Sequence, residues 1–349
     1  MKKTLKKVMV NVAAKLLQQP SIEKQLEDNM LQCARSLPSL NNIPSPYALE
    51  PTTPISRTSE RDDIIFITSR FRSGSTLLWN LFRQTPNCSA YYEPFNERQW
   101  FNEKLRGDNV DNTHRGVDDY WAEYDGLNQL SNTYNEDWIR KNLYMSAQSW
   151  EPQMKLFIEQ MVEAAPGRPV LQFNRIDFRL PWIKQHFPNA KILHLYRHPR
   201  DQWCSFLTDQ HLMNKDDVQH TYRDAFYLDV WCRDLAKHYP VLDKRNTPHP
   251  YQRFYYLWKL SYLYGLTLSD MSFSFENLTT TPETVISDMF NKLTMDTSNV
   301  ESLVSVIKAP PAERWRKYAD ESWFAKHEHI CEQNLSVMLN ERPIPEQLR

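Results

Sequence analysis

Residues 64–76 read Ile-Ile-Phe-Ile-Thr-Ser-Arg-Phe-Arg-Ser-Gly-Ser-Thr, an apolar run that passes through a short basic turn into a helical pattern. Ile64 to Ile67 are β-branched or aromatic and predict a strand, whereas Leu77, Leu78, Leu81 and Phe82 recur at helical spacing. The junction is therefore strand, loop and helix N-terminus. The first amides of such a helix lack intrahelical partners, and the macrodipole adds partial positive charge, so the turn is built to hold an anion such as phosphate. Gly74 is one of only six glycines in 349 residues, and its place at this turn predicts a backbone conformation or a close approach that a side chain would prevent.

The turn is not a Walker A loop: the pattern G-x-x-x-x-G-K-[ST] would put Ser69 at its first glycine and Ser75 at its lysine. The cation sits instead at Arg72. Arg72-Ser73-Gly74-Ser75-Thr76-Leu77-Leu78 resembles the 5′-phosphosulfate loop of sulfotransferases, which use 3′-phosphoadenosine 5′-phosphosulfate as donor. The resemblance implies that Arg72, Ser73, Gly74, Ser75, Thr76 and Leu77 border that donor. A strand-to-helix turn with surface arginines is the competing reading of the segment on its own.

The design recurs downstream. Lys191 to Tyr196 form a second candidate strand, followed by Arg197-His198-Pro199-Arg200-Asp201 and a helix carrying Trp203, Phe206 and Leu207. Ser205 lies eight residues after Arg197, close enough for a guanidinium and a hydroxyl to share one phosphate, a task that suits the planar arginine fork. In sulfotransferases the residues in this pattern bind the 3′-phosphate, so the resemblance now has two parts in the expected order. Arg200 and Asp201 read as an exposed pair at the helix start.

Val170 to Phe173 predict another strand, and Pro181 to Phe187 a crossover helix stopped by Pro188. Met271 to Leu278 resembles the family's strand that delivers an aromatic to adenine, which implies that role for Phe275; a core position is the competing reading. Pro282 opens a further helix through Val285, Met289 and Phe290. Alternating strands and helices predict a P-loop-like α/β fold, three layers with a central parallel sheet. Near the C-terminus, Glu313 to Tyr318 stands where related enzymes close a loop over the 3′-phosphate, so Arg314 and Arg316 join the candidate donor residues, with a charged helix face as the alternative.

For the chemistry, Glu93 in Tyr91-Tyr92-Glu93-Pro94-Phe95 follows a candidate strand from Cys88. In tyrosylprotein and carbohydrate sulfotransferases a glutamate in this region serves as base, and the Tyr-Glu-Pro setting resembles the carbohydrate enzymes and their bacterial relatives. The cytosolic phenol-sulfating branch uses a histidine at a place occupied here by Arg175, which accepts no proton. That departure moves the role to Glu93, with Asp177 and His194 as fallbacks; a structural pairing of Glu93 with an arginine is the competing reading. The resemblance implies in-line transfer without a metal, with Arg72 opposing the charge that builds on the leaving phosphate. An ATP-dependent phosphotransferase using magnesium and a non-catalytic nucleotide-binding protein are the alternatives.

The formal net charge of −1 argues against nucleic-acid binding and makes any anion site a local basic pocket. Five dispersed cysteines, with no paired ligand motif, predict neither a disulfide framework nor a structural metal, and the default is a reducing, cytoplasmic compartment. The first residues predict an amphipathic helix that a membrane surface or partner could meet, and no apolar stretch is long enough to span a bilayer. Residues 1–60 thus read as a helical extension with a Pro/Ser/Thr-rich connector, and 61–349 as the catalytic domain. Within it, the polar and aromatic segment 98–150 reads as an insertion on the acceptor side, its aromatics packing among themselves. The acceptor is a hydroxylated molecule, with a glycan or glycolipid favoured by the carbohydrate-type motif.

Overall fold

The computed structural model describes residues 61–111, 113–207, 214–216, 226–309 and 313–341, and the helical positions Val12, Leu16 and Ile22. The rest of the expected N-terminal helix and connector lies outside the described residues. The chain divides into Met1–Pro54 and Ile55–Arg349, and the fold belongs to the second unit.

Five strands form one parallel sheet: β1 (Ile65–Ser69), β2 (Cys88–Tyr92), β3 (Arg168–Phe173), β4 (Lys191–Tyr196) and β5 (Met271–Ser274), in the order β2-β3-β1-β4-β5. Every residue of β1 is buried, because it is the central strand and helices cover both faces, which gives the expected α/β/α layering. The helices of six or more residues are α1 (Ser75–Arg83), α2 (Pro152–Ala164), α3 (Leu180–His186), α4 (Pro199–Phe206), α5 (Leu228–Leu235), α6 (Pro250–Leu268), α7 (Phe275–Thr280), α8 (Pro282–Lys292), α9 (Val300–Ser305) and α10 (Glu321–Glu341). Prolines at the first positions of α2, α4, α6 and α8 supply the preset φ and the missing N–H that a helix start accepts. Among the described residues no helix is long and apolar enough to cross a membrane.

The chain leaves β1, skips one position to β2, returns beside β1 as β3, then crosses to its other side as β4. Loops at the carboxyl ends of β1, β3 and β4 therefore diverge and leave a crevice there, the usual ligand position in open parallel sheets.

Three local expectations change. The strand expected over Met271–Leu278 ends at Ser274, whose hydroxyl caps the next helix by accepting from the Asn277 amide (3.0 Å), so Phe275 opens α7. Arg200 is buried: its guanidinium forks onto Glu328 at 2.8 and 2.7 Å and reaches Glu321 at 2.7 Å, because α10 folds back over the start of α4. The 98–150 insertion packs against the sheet edge as well as itself. Tyr120 stacks on Tyr92 with centroids 4.7 Å apart, Tyr124 donates to the Tyr92 carbonyl, and Arg83 of α1 pairs with Asp119 and Glu123.

Candidate functional site

The residue immediately after each of four strands faces one cavity of about 770 Å³: Glu93 after β2, Asn174 after β3, Arg197 after β4 and Phe275 after β5. The fifth, β1, leads into the basic turn, which lends Arg72, Gly74, Ser75, Thr76 and Leu77 to the same cavity. Seven basic side chains line it against Glu93, Glu97 and Asp111, so a chain of near-zero net charge concentrates positive potential in one place.

The turn is held open by its backbone. Arg72 has φ 64° and Gly74 φ 95°, and Ser73 turns inward, its hydroxyl donating to the Arg70 carbonyl at 2.7 Å. A Cβ on Gly74 would fall 2.2 Å from the Phe275 ring, so this position needs glycine for both reasons the sequence suggested, a left-handed backbone and a close approach. The ring also lies under Arg197, whose guanidinium carbon is 5.0 Å from its centroid.

Arg197 and Arg72 are neighbours: Arg197 Nη1 donates to the Arg72 carbonyl at 3.1 Å. Arg72 Nε in turn donates to Ser205 Oγ (3.1 Å) and to the Ser205 carbonyl (3.0 Å), while Asp111 stands 3.7 Å from its Nη1. Ser205 is thus bonded to Arg72, although it lines the same cavity as Arg197. Among the described residues, Arg197 Nε is buried with no hydrogen-bond partner. Burial lowers the Arg197 pKa, Asp201 and Glu276 oppose that, and Arg314 and Arg72 add to it. An anion placed among these cations would satisfy the orphaned donor and relieve their repulsion. Arg314 lines the cavity as well; Arg316 does not, and pairs instead with Glu313 at 2.8 Å.

Glu93 is buried, with φ 40°. Its Oε2 accepts from Asn96 Nδ2 at 2.6 Å, its Oε1 accepts from Asn174 Nδ2, and Arg175 Nη1 lies 3.9 Å away. Burial raises the Glu93 pKa, while Arg175, Asn96 and Tyr92 pull it down. A carboxylate poised above its ordinary range, yet kept ionisable by a neighbouring cation, suits proton abstraction. The fallbacks sit elsewhere. Asp177 pairs with Arg70 at 2.6 Å, and His194 is hydrogen-bonded to Ser272 at 2.8 Å, its pKa lowered to about 4 by burial; neither lines the cavity.

Sequence reasoning missed Asn174 and His114. Asn174 Oδ1 accepts from Gln172 (2.9 Å), Ser69 (3.3 Å) and Ser75 (3.4 Å), fixing the end of β3 to the basic turn. Its signal was available, since it directly follows a predicted strand. His114 comes from the insertion and reaches Thr76 at 3.3 Å, a contact without local signal. Backbone strain concentrates here too: of nine non-glycine residues with positive φ among the described residues, Arg72, Glu93, Phe226 and Tyr227 line the cavity.

Residues 63–257, more than half of the chain, match the sequence profile described as the Sulfotransferase family. No curated protein matches. Among solved structures, a sulfotransferase from Alicyclobacillus acidocaldarius is similar at 16% identity and TM-score 0.38, over 82% of this chain and 98% of that one. A sulfotransferase from Mycobacterium avium follows at 12% and 0.43, over 82% and 78%. Retinol dehydratase, solved with androsterone and the inactive cofactor PAP, is similar at 13% and 0.34, over 79% and 81%. With the profile covering the basic turn, Glu93 and Arg197 in one continuous match, the chain belongs to the sulfotransferase family.

Proposed function

We propose that this sulfotransferase takes its sulfuryl group from 3′-phosphoadenosine 5′-phosphosulfate and passes it to an acceptor hydroxyl on a glycan or glycolipid. The observation that carries the donor assignment is the contact between Arg197 and Arg72 across a single cavity, with Arg197 Nε left for an incoming anion. Arg72, the α1 amides and the Thr76 hydroxyl serve the 5′-phosphosulfate end; Arg197 and Arg314 serve the 3′-phosphate; Phe275 borders the base. Ser73 and Arg316 act indirectly, by shaping the turn and the loop.

Glu93 takes the acceptor proton, the freed oxygen attacks sulfur, and the bond from sulfur to the bridging oxygen breaks. Negative charge then grows on the 5′-phosphate, where Arg72 and the α1 N-terminus oppose it. The sugar reading is supported by the lining of the same cavity, where the aromatic Trp100, Phe226 and Tyr227 occur with the polar Asn96, Glu97 and Asn109, a mixture that matches the apolar faces and hydroxyls of a saccharide. Residues 61–349 form the catalytic unit in this reading, with 98–150 covering the acceptor.

Calorimetry with 3′-phosphoadenosine 5′-phosphate and with AMP tests the donor. The bisphosphate binds more tightly, and Arg197→Ala removes roughly 10- to 150-fold of that preference, the worth of about 1.5–3 kcal/mol for a charged hydrogen bond. Equal affinity for the two nucleotides in the unaltered protein overturns the assignment. Transfer of labelled sulfate to neutral sugars and glycolipids, against phenols, tests the acceptor class.

A further inference from the structure

One imidazole beside the basic turn has a hydrogen-bond donor that the reaction above does not use. His114 comes from the insertion and lines the cavity together with Asp111 and Thr76. The stretch that carries it is fastened on either side: Asn80 Nδ2 of α1 donates to the Gly116 carbonyl at 3.3 Å, and Arg98 Nη1 donates to the Asn109 carbonyl at 2.6 Å. The ring is held by Tyr120, whose hydroxyl lies 2.5 Å from His114 Nδ1 and accepts from the Asp111 amide at 3.0 Å. Tyr120 is itself buried and stacked on Tyr92.

These two bonds fix the tautomer. The Tyr120 oxygen already takes the Asp111 amide, and among the described residues its proton has no acceptor but Nδ1. A buried hydroxyl proton left without an acceptor is costly, so Tyr120 donates to Nδ1 and the ring proton sits on Nε2. That Nε2–H is not committed. Thr76 Oγ1 lies 3.3 Å from it, beyond the roughly 2.7–3.2 Å of a settled N–H···O bond, and already has the Tyr92 hydroxyl at 2.9 Å. Its other neighbour is Asp111 Oδ2, 4.0 Å from Nε2 and 3.7 Å from Arg72 Nη1. A carboxylate of the chain itself, 44% exposed, therefore stands beside both donors, as a bound anion would.

The position of this corner decides which anion it suits. Thr76 is the second residue of α1, and its hydroxyl hydrogen-bonds Tyr92, the residue before Glu93. One side of the corner is thus the helix start assigned to the 5′-phosphate, and the other is the strand end that carries the base. The group that travels between a 5′-phosphate and an acceptor oxygen is the sulfuryl group. We propose that His114 donates its Nε2–H to an oxygen of the donor's sulfuryl group, which takes the place of the Asp111 carboxylate; this rests on the donor reading above. The bond from sulfur to the bridging oxygen breaks and the bond to the acceptor oxygen forms, while the other three oxygens stay on sulfur. The hydrogen bond from His114 therefore lasts from donor to product, and the imidazole keeps its proton throughout. Burial and Arg72 favour the neutral ring against the pull of Asp111, so His114 does not compete with Glu93 for the acceptor proton.

Calorimetry with 3′-phosphoadenosine 5′-phosphosulfate and with the bisphosphate, which lacks the sulfuryl group, isolates the contact. His114→Ala weakens the phosphosulfate roughly 10- to 150-fold, the worth of a hydrogen bond to a charged group, and leaves the bisphosphate within about twofold. His114→Gln, whose side-chain amide supplies a donor in place of Nε2, binds the phosphosulfate at least about fivefold more tightly than His114→Ala. Ring ¹⁵N shifts of His114 in the unaltered, unliganded protein show the Nε2–H tautomer. Unchanged phosphosulfate affinity in His114→Ala, equal losses for the two nucleotides, a His114→Gln no better than His114→Ala, or the Nδ1–H tautomer at rest each overturn the assignment. Failure of the donor reading looks different: the unaltered protein then binds the bisphosphate no more tightly than AMP, whereas a wrong role for His114 leaves that preference intact.

Discussion

The Arg175 guanidinium lies 3.9 Å from Glu93 and 3.2 Å from Glu97, at the place where the resemblance to sulfotransferases implies a histidine in the phenol-sulfating branch. Replacing it with glutamine removes the cation that opposes the burial of Glu93. At an effective dielectric of about 20, unit charges 3.9 Å apart interact by about 4 kcal/mol, equivalent to roughly 3 pKa units. Glu97 shares the guanidinium and stays behind to repel Glu93, so the expected rise is about 1–3 units, the usual effect of one close opposite charge. The assay is kcat/KM against pH with the donor at fixed saturation, whose acidic limb reports the base of the free enzyme toward acceptor. With Glu93 as the proposed base acting in its ionised form, the limb moves to higher pH in Arg175→Gln, and activity at neutral pH falls while the alkaline plateau survives.

Arg175→Lys keeps a charge at the site but not the fork that also donates to the Phe95 carbonyl, so its limb stays near that of the parent even if its stability drops. Stability follows the same group with a definite sign. The folded-state pKa of Glu93 is already raised above the unfolded value, so its contribution is fully present in acid and is lost as pH climbs through the folded pKa. Arg175→Gln widens that gap, adding about 1.4 kcal/mol of destabilisation per unit at neutral pH and little below pH 4. An acidic limb that does not move in Arg175→Gln would refute the electrostatic coupling and, with it, the reading of why an arginine occupies this place.

Gly74→Ala places a methyl group against the Phe275 ring in a backbone conformation costing about 1–2 kcal/mol for an L-residue, so bisphosphate affinity measured by calorimetry falls at least tenfold; unchanged affinity means that the turn is not the donor cradle. Glu93→Gln lowers kcat by about 10²–10⁴ while donor binding stays within twofold, and retained turnover places the base elsewhere. Arg200→Ala strands Glu328 and costs about 3–5 kcal/mol in urea unfolding at neutral pH. The Glu328 pKa is depressed in the folded protein by Arg200 and Tyr251 against its burial, so this contribution is present above the unfolded carboxylate pKa and fades as pH falls through the folded one. A deficit in Arg200→Ala that is the same at pH 4 and pH 7 contradicts the pairing.

What the sequence made legible follows from where the information is stored. Buried parallel strands are short continuous apolar runs, and Lys191–Tyr196 was readable to the residue because its run is bounded by Ala190 on one side and Arg197-His198-Pro199 on the other. In a parallel sheet all carboxyl ends lie on one edge, so residues just after the strands converge: Glu93 and Arg197, which the family resemblance singled out, and the turn at Arg72, read from its strand-loop-helix pattern, all sit at such ends, and Asn174 obeys the same rule. The strand to Phe275 was overrun by four residues because Ser274 and Asn277 form a helix cap inside a stretch that still reads as alternating apolar and polar. Arg200 and His114 are of another kind. Arg200 looks exposed in any local window, since its partners lie more than one hundred residues away on α10. His114 sits in an insertion of short 3-10 turns, where no periodicity fixes the direction of a side chain, and its contact with Thr76 goes with tertiary contacts such as the stacking of Tyr120 on Tyr92. Residues at strand ends are thus placed by topology, which a sequence pattern of strands already encodes, whereas residues such as Arg200 and His114 are placed by tertiary contacts to distant segments, which no local window contains.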